Sequence, residues 1–341
     1  MGITTNDLAQ ICGVSRTTVL RALNGNGRIS PDTKEMILRV AKENDYRPDL
    51  LARSLVNGKT NIIGVVVLDA KSRYFAEMIS WIVNKANKNG YGVSIMLHGA
   101  QPKLEKKQLL RLASYRVDGI IVSSVNQGDP YVDFLKSLNT PIVSIDNRIA
   151  NDLPFVGIEQ KNAMKEITEL VVSKGIKKIV FVCPPMCEES NENIYVHKER
   201  QEGVYEVIKK NGDVSIVELL DWTYLDKVEE LVDTDEKVAF VCTADEFALP
   251  IIKRLNGKGL TPGKDYAITG FDNIDILDFI SPKLTTVSNA VEEVANAAVN
   301  LLFELIEEKE SIGKDKSANG ESFIGNECRI LPYTIISGET L

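Results

Sequence analysis

The sequence predicts a small all-α head followed by a two-lobed, doubly wound α/β body. Three observations carry that expectation. At 341 residues the chain exceeds what one hydrophobic core usually serves, which predicts two domains or more. Residues 1–59 carry nine Lys and Arg against six Asp and Glu, a net +3, so the chain's −8 resolves into a basic head and a body of −11. Beyond Asn61, short β-branched runs alternate with amphipathic stretches, the pattern of parallel sheets covered by helices on both faces. The composition, 44% hydrophobic and 26% charged, is that of a globular protein and excludes disorder and collagen-like structure. As an average, −8 argues mildly against nucleic acid; divided, it points to an anionic partner for the head alone.

Three short helices are expected in the head. Thr4 stands three residues before Asp7, a capping-box-like pair, and Leu8, Ile11 and Cys12 follow at helical spacing. Gly13 stops this helix and permits a tight turn. Ser15 is a good N-cap for a second helix, in which Val19, Ala22 and Leu23 form an apolar stripe while Arg16, Thr17, Leu20 and Arg21 lie elsewhere around the cylinder. Ser30 caps a third helix with Pro31 in its first turn and Met36, Ile37, Val40 and Ala41 facing inward, ending before Arg47-Pro48. Two helices joined by a short glycine turn describe a helix-turn-helix, whose second helix lies in the major groove. Arg16, Thr17 and Arg21 then fall where base or phosphate contacts are made. On spacing alone, a small three-helix bundle with arginines on its polar face fits equally well.

In the body, Ile62–Leu68, Val93–Leu97, Gly119–Val122, Ile142–Ile145, Ile179–Val182, Val238–Cys242 and Tyr266–Gly270 read as buried strands, with a further strand over 215–220. Helices over 75–89, 103–115, 160–174, 194–211 and 245–256 separate them. So many strands over more than two hundred residues predict two lobes, with a ligand cleft between them outside the carboxyl ends of the strands. The five cysteines are scattered and only His98 and His197 are present, so neither a disulfide framework nor a metal site is expected. The sequence contains no Walker-type P-loop, no G-x-G-x-x-G after the first strand and no nucleophile elbow, which ranks an enzyme last and predicts no cofactor. The first residues lack a basic region followed by an apolar one, and the longest apolar run, Ile62–Leu68, is far short of a membrane span; a cytoplasmic protein without a membrane partner is expected.

Residues 4–55 resemble the DNA-binding head of the lactose-repressor (LacI) family. The resemblance is carried by Leu8-Ala9, Gly13-Val14-Ser15, Thr18-Val19, Arg21, Leu23-Asn24, Ser30-Pro31, Tyr46-Arg47-Pro48 and Ala52-Arg53-Ser54-Leu55. It implies that Arg16 and Thr17 read bases, that Arg21 reads bases or clamps the backbone, and that Thr4, Ser15, Thr18, Asn24 and Ser30 are phosphate or cap positions. It implies also a head over 1–48, a hinge over 49–60 that includes Ala52, and a wedge at Leu55 that unstacks a central base step at a cost of about a few kcal/mol. Asp49 occupies a position often held by Asn.

Residues 61–341 resemble the periplasmic-binding-protein-like effector domain of the same family. The carriers are Ile63-Gly64-Val65, Tyr74-Phe75-Ala76-Glu77, Asp118-Gly119-Ile120-Ile121, Pro141-Ile142-Val143, Asp146, Arg200 with Gly203, Gly270-Phe271-Asp272 and Leu284-Thr285-Thr286-Val287. The implied effector residues are Tyr74, Phe75, Asp146, Arg200, Trp222 and Asp272, with core packing the plainer role for the aromatics. A DNA-proximal lobe over about 61–160 and 290–325 and a distal lobe over about 161–289 and 326–341 are expected, and 311–327 reads as a loop. Several positions depart from the family pattern. Ala244 replaces an Asn, Glu159-Gln160 an Asp-Asn, Asn289 a Gln, and Ser72-Arg73 an Asn-Pro. The resemblance implies a homodimeric repressor on a palindromic operator in double-stranded DNA, controlled by a small-molecule effector with carbohydrate favoured; a co-repressor-dependent regulator, a solute-binding protein and an enzyme are the alternatives. No heptad-bearing tail follows, so a dimer rather than a tetramer is expected. Leu55→Ala is expected to weaken binding to a palindromic site far more than binding to random duplex, and an equal loss on both, measured by fluorescence anisotropy, would remove the wedge.

Overall fold

Capping fixes the head. Thr4 Oγ1 accepts from the Asp7 amide (3.3 Å) while Asp7 accepts from the Thr4 amide (2.8 Å), closing a full capping box at the start of α1 (Thr5–Cys12). Gly13, at φ +65°, ends α1 in the left-handed region that a glycine enters without penalty. Ser15 accepts from the Thr18 amide (3.2 Å) to begin α2 (Arg16–Asn24), and Ser30 accepts from the Thr33 amide (3.2 Å) to begin α3 (Pro31–Glu43). Each such cap stabilises its helix by about 1 kcal/mol. Leu8, Ala9, Val19, Ala22, Ile37 and Ala41 form the core of the head. Ile11, grouped with Leu8 by spacing, is instead exposed, because Ala9 takes the inward position on α1.

This computed structural model describes residues 3–25, 27–46, 58–184, 186, 192–232, 236–314 and 327–341, and the chain divides into two compact units, Met1–Thr60 and Asn61–Leu341. The expected hinge residues Ala52 and Leu55 lie outside the described residues, as does most of the expected loop 311–327.

The second unit is built on two six-stranded sheets. The first contains β1 (Ile62–Val67), β2 (Gly92–Leu97), β3 (Gly119–Val122), β4 (Ile142–Ile145), β5 (Phe155–Ile158) and β11 (Cys328–Leu331), in the order β11-β5-β4-β3-β1-β2, all parallel. The second contains β6 (Lys178–Val182), β7 (Ser215–Leu219), β8 (Val238–Cys242), β9 (Ala267–Asp272), β10 (Thr285–Ser288) and β12 (Thr334–Ile336), in the order β12-β10-β9-β8-β6-β7, parallel except for β12. Helices α4 (Arg73–Lys88), α5 (Pro102–Ser114), α6 (Asp129–Ser137) and α11 (Val291–Lys314) belong to the first sheet. Helices α7 (Gln160–Ser173), α8 (Tyr195–Lys210), α9 (Val228–Val232) and α10 (Asp245–Asn256) belong to the second.

Three expectations are corrected here. Val93–Leu97, read as a buried strand, is the exposed edge of the first sheet, with Ile95 and Leu97 open to solvent because β2 pairs on one side only. The loop expected over 311–327 starts later, because α11 continues to Lys314. Residues 326–341, expected wholly in the distal lobe, are shared between the sheets: Cys328 pairs in parallel register with Phe155, and only Thr334–Ile336 joins the second sheet. Pro332, which cannot donate to a ladder, separates the two strands. The chain therefore passes between sheets after β5, after β10 and between β11 and β12.

Gly203 lets α8 lie directly on α7. A Cβ there would meet the Lys161 carbonyl and come 2.9 Å from the Lys165 amide, both main-chain atoms that have no room to retreat. The same two helices are joined by Glu206, which pairs with Lys161 and Lys165 at 2.8 Å each and is held down at about 2 by those two bonds. That stabilisation is complete above the ordinary carboxylate value of 4.5 and disappears as pH falls towards about 2. Gly203→Ala is expected to lower stability by about 1–3 kcal/mol through overpacking, read from the midpoint of urea unfolding; an unchanged midpoint would contradict this close approach.

Candidate nucleic-acid interface and ligand cleft

On the head, Arg16, Thr17, Leu20 and Arg21 all stand on the exposed side of α2, opposite Val19 and Ala22. Arg16 Nε donates to Thr5 Oγ1 at 3.2 Å, so its guanidinium is positioned across the start of α1. Gly27 faces the aliphatic stem of Arg21, where an added Cβ would lie 3.2 Å from Cδ. Thr4, Ser15 and Ser30 use their hydroxyls as caps, and Thr18 Oγ1 lies 2.9 Å from Ser15 Oγ. Asn24 is exposed at the end of α2. The head thus presents two arginines and a threonine on one helix, the residue types that reach base edges and phosphates.

In the body, the carboxyl ends of the two parallel sheets converge on a polar cluster, the location expected for ligands in such sheets. From the first sheet, Tyr74 Oη on α4 donates to Asp146 Oδ1 (3.4 Å), and Ser123 Oγ, just after β3, donates to Asp146 Oδ2 (3.0 Å). From the second, Arg200 on α8 is 3% exposed and lies flat over Phe271, with 3.6 Å from guanidinium carbon to ring centroid. Its Nε donates to Gln160 Oε1 (2.9 Å), its Nη1 to the Thr243 carbonyl, and its Nη2 lies 3.6 Å from Asp272 Oδ1. Gln160 in turn donates to Asn289 Oδ1 (3.3 Å), and Asn289 donates to Asp272 Oδ1 (3.3 Å), which closes a ring of four side chains. Asp245 anchors the neighbouring backbone by accepting from Thr286 Oγ1 (2.6 Å) and the Ile274 amide (3.0 Å).

The electrostatics follow from burial. Desolvation pushes Asp146 up and Asp272 well above the usual carboxylate range, with Arg200 opposing both shifts and each carboxylate raising Asp272's burden of negative charge. His197, one turn before Arg200 on α8, is driven down to about 4 by burial and by Arg200, and its Nδ1 has no hydrogen-bond partner among the described residues. Asp146, Asp272 and Asn273 adopt positive φ of 63°, 106° and 55°, a strained backbone of the kind found at ligand sites.

Tyr74, Asp146, Arg200 and Asp272 are therefore brought together. Phe75 packs edge-on to Tyr74 at 5.1 Å and belongs to the core, while Trp222 is 67% exposed and stands apart, edge-on to Phe247 at 6.3 Å. Gln160, Asn289, Ser123 and Thr243 complete the cluster without having been singled out as ligand positions. A signal existed for two of them: Gln160 and Asn289 both depart from the family pattern, one by a longer amide and the other by a shorter one, and the two side chains meet. A third departure, Arg73 in place of Pro, donates its amide to Glu246 (2.9 Å) and its guanidinium to both Asp275 oxygens (2.9 and 3.1 Å), clasping α4 to the second lobe. Asn193 adds a buried link, donating its amide to the Val125 carbonyl (2.8 Å) and its side chain to the Arg148 carbonyl (3.1 Å). Among the described residues no cluster of His, Cys, Asp and Glu is arranged to hold a metal, and no helix is long and apolar enough to cross a membrane.

A three-helix head of this kind and a two-sheet body with a polar cleft define a DNA-binding regulator of the two-part type. Residues 4–49 match the profile of the bacterial regulatory proteins of the lacI family, and 168–321 that of a periplasmic binding protein-like domain. The chain is 31% identical to catabolite control protein A of Priestia megaterium over 313 residues, spanning 89% of this chain and 92% of that one. It is 30% identical to the transcriptional repressor PurR of Haemophilus influenzae, spanning 90% and 92%. The fold superposes on a lac repressor dimer bound to operator and the anti-inducer ONPF with a TM-score of 0.84 at 19% identity, over 100% of this chain and 99% of that one. A regulator CelR–cellobiose complex gives 0.66 at 20% identity, over 99% of each. The chain belongs to the lacI family of bacterial regulatory proteins and is a DNA-binding transcriptional regulator.

The amide exchange gives a direct check. Gln160→Asn alone is expected to cost about 1–3 kcal/mol by leaving buried Arg200 Nε without its partner. Combining it with Asn289→Gln should recover most of that loss in urea unfolding, and purely additive losses would show that the two positions do not compensate.

Proposed function

We propose that the chain is a cytoplasmic repressor, without enzymatic activity, that binds a palindromic operator as a homodimer and answers to a small-molecule effector, carbohydrate favoured, held in the cleft. The observation that carries this reading is the convergence of Tyr74, Asp146, Arg200 and Asp272 at the carboxyl ends of both sheets, in a chain that also has a basic helical head. The effector contacts are assigned to those four, with Phe75 behind Tyr74 and Trp222 at the periphery. In the head, Arg16 and Thr17 read bases, Arg21 reads bases or clamps the backbone, Thr4, Ser15, Thr18, Asn24 and Ser30 face phosphate, and Ala52 and Leu55 belong to a hinge over 49–60 between a head over 1–48 and a body over 61–341.

Homodimerisation is supported by apolar side chains open to solvent. Ile95 and Leu97 on the edge strand β2, Leu110 and Tyr115 at the adjoining α5, and Phe279, 83% exposed, are the kind of surface that a second copy covers. The relative PurR is named a transcriptional repressor and one similar structure is a repressor dimer on operator DNA, which supports repression on paired half-sites. A co-repressor mode is the alternative within the same geometry.

A salt titration on a palindromic duplex is expected to show log affinity falling linearly and steeply with log salt. Binding that is absent, or indifferent to salt, would contradict the proposal. Arg16→Ala should cost about 1–3 kcal/mol at particular base positions and relax specificity there, whereas a uniform loss over all sequences would make Arg16 a phosphate contact.

A further inference from the structure

We propose that the outer face of α5 is a second DNA contact, a row of cations on the body that lies against the phosphates of duplex flanking the segment held by the head. Residues 102–116 carry Lys103, Lys106, Lys107, Arg111 and Arg116 against Glu105 alone, a net +4 within a body of −11. That local reversal of sign is the starting point.

Helical spacing sorts these charges. Glu105, Leu109 and Leu112 are buried on the inner side of α5. Glu105 is engaged there, its carboxylate accepting from Ser124 Oγ (2.6 Å), the Val125 amide (2.7 Å), Asn126 Nδ2 (3.0 Å) and Tyr131 Oη. Lys106 is turned aside, with its ammonium 5.5 and 5.6 Å from the ring centroids of Tyr131 and Phe134. Lys103, Lys107 and Arg111 remain, all exposed and four residues apart, which puts them in one row on the outer side. Among the described residues none of the three forms an ion pair with a carboxylate, and Arg111 donates to Gln108 of its own helix (3.3 Å). Like charges four residues apart weaken a helix, so the row works against α5 unless an anion meets it. Other aligned cations of the body are met in this way: Lys161 and Lys165 by Glu206, Arg254 and Lys258 by Glu229.

Length and place assign the row to duplex. From Lys103 to Arg111 is about 12 Å along the helix axis, and each strand of a duplex carries one phosphate per about 3.4 Å of its axis, so the row matches the span of about three phosphates. The carboxyl end of α5 adjoins the point where the chain enters the body from the DNA-binding head. The Asn61 amide donates to Asp118 Oδ2 (2.8 Å), and the Asp118 amide donates to the Ile62 carbonyl (2.8 Å). A body tethered to a DNA-bound head meets flanking duplex at high effective concentration, and its −11 would be repelled there without a basic face. Leu110 stands at the margin of the row, about 100° around the helix from Arg111, so one helix can meet a second copy on one margin and duplex on the other.

The test is a salt titration by fluorescence anisotropy on the full-length protein, with random-sequence duplexes of two lengths. The shorter, of about 20 base pairs, holds two half-sites one helical turn apart; the longer, of about 60, adds flanks on both sides, each about one further 20-base-pair length. The triple variant Lys103→Gln, Lys107→Gln, Arg111→Gln is expected to bind the longer duplex about tenfold or more weakly at low salt, with a slope of log affinity on log salt smaller by about 2–3, and to bind the shorter one nearly as the wild type does. Exchanging the cations instead, Lys103→Arg, Lys107→Arg and Arg111→Lys, should retain the wild-type affinity. Neutralising Lys174, Lys198 and Lys209, exposed on or beside α7 and α8, changes the net charge equally and should leave both affinities within about twofold, because distant exposed charges are screened. An equal loss in that distributed variant would reduce the effect to overall charge and overturn the contact. Equal losses on both duplexes would place the row over the segment under the heads and overturn the flanking contact. Unchanged affinity on both overturns DNA as the partner, and a dimer lost from sedimentation would then give the row to a second copy.

Discussion

The guanidinium of Arg200 holds together the carboxyl end of the second sheet and the helices beside it. It connects α8, which carries it, to the start of α7 through Gln160, to the end of β8 through the Thr243 carbonyl, and to the end of β9 through Asp272 and the Phe271 ring. A charge this buried is tolerable only with its partners present, because removing one of them leaves an uncompensated ion or carboxylate in a poorly solvated place. The packing elsewhere serves the same requirement. Gly203, one turn along α8, removes the side chain that would keep α8 away from α7, and Arg200 reaches Gln160 across the gap that closes.

Two members of the ring lie on the connections between lobes. Gln160 begins α7 immediately after the chain leaves β5, and Asn289 follows β10 immediately before the chain returns to the first lobe as α11. A group that competes for Asp272 or Arg200 therefore acts on segments from which both sheets are suspended. Coupling between sites requires such a shared element, with contacts that differ between two arrangements. Asn193 and Arg73 also bridge the lobes, each through hydrogen bonds that a relative movement of the sheets would have to break.

Much of this was readable from residue order. The three N-caps at Thr4, Ser15 and Ser30 are local events, set by a side chain and an amide three residues away, and the parallel strands announce themselves through β-branched runs. Non-local closure was not readable. That β2 is an edge, and that its apolar residues therefore face solvent, depends on strand order, which no window of sequence contains. The stretch from Cys328 to Ile336 reads as one extended segment, and its division between two sheets follows only once β5 and β10 each present an open side. At the cleft, Tyr74, Asp146, Arg200 and Asp272 stood out through the family pattern, whereas Gln160 and Asn289 appeared merely as departures from it. Their meaning is a distance, and distances across 129 positions of chain are a property of the fold.

The clasp at Arg73 bears on time as well as on geometry. An exposed ion pair of this type contributes about 1 kcal/mol or less, too little to lock the lobes and enough to slow their separation by a factor of a few. Separating the two lobes at this point requires Arg73 to leave Glu246 and Asp275. A proline at that position has no amide proton and no charge, so relatives that carry one lack this brake. In this chain the arginine therefore ties the lobes at a point where a proline would leave them free to part, and the difference lies in how fast they separate rather than in whether they can.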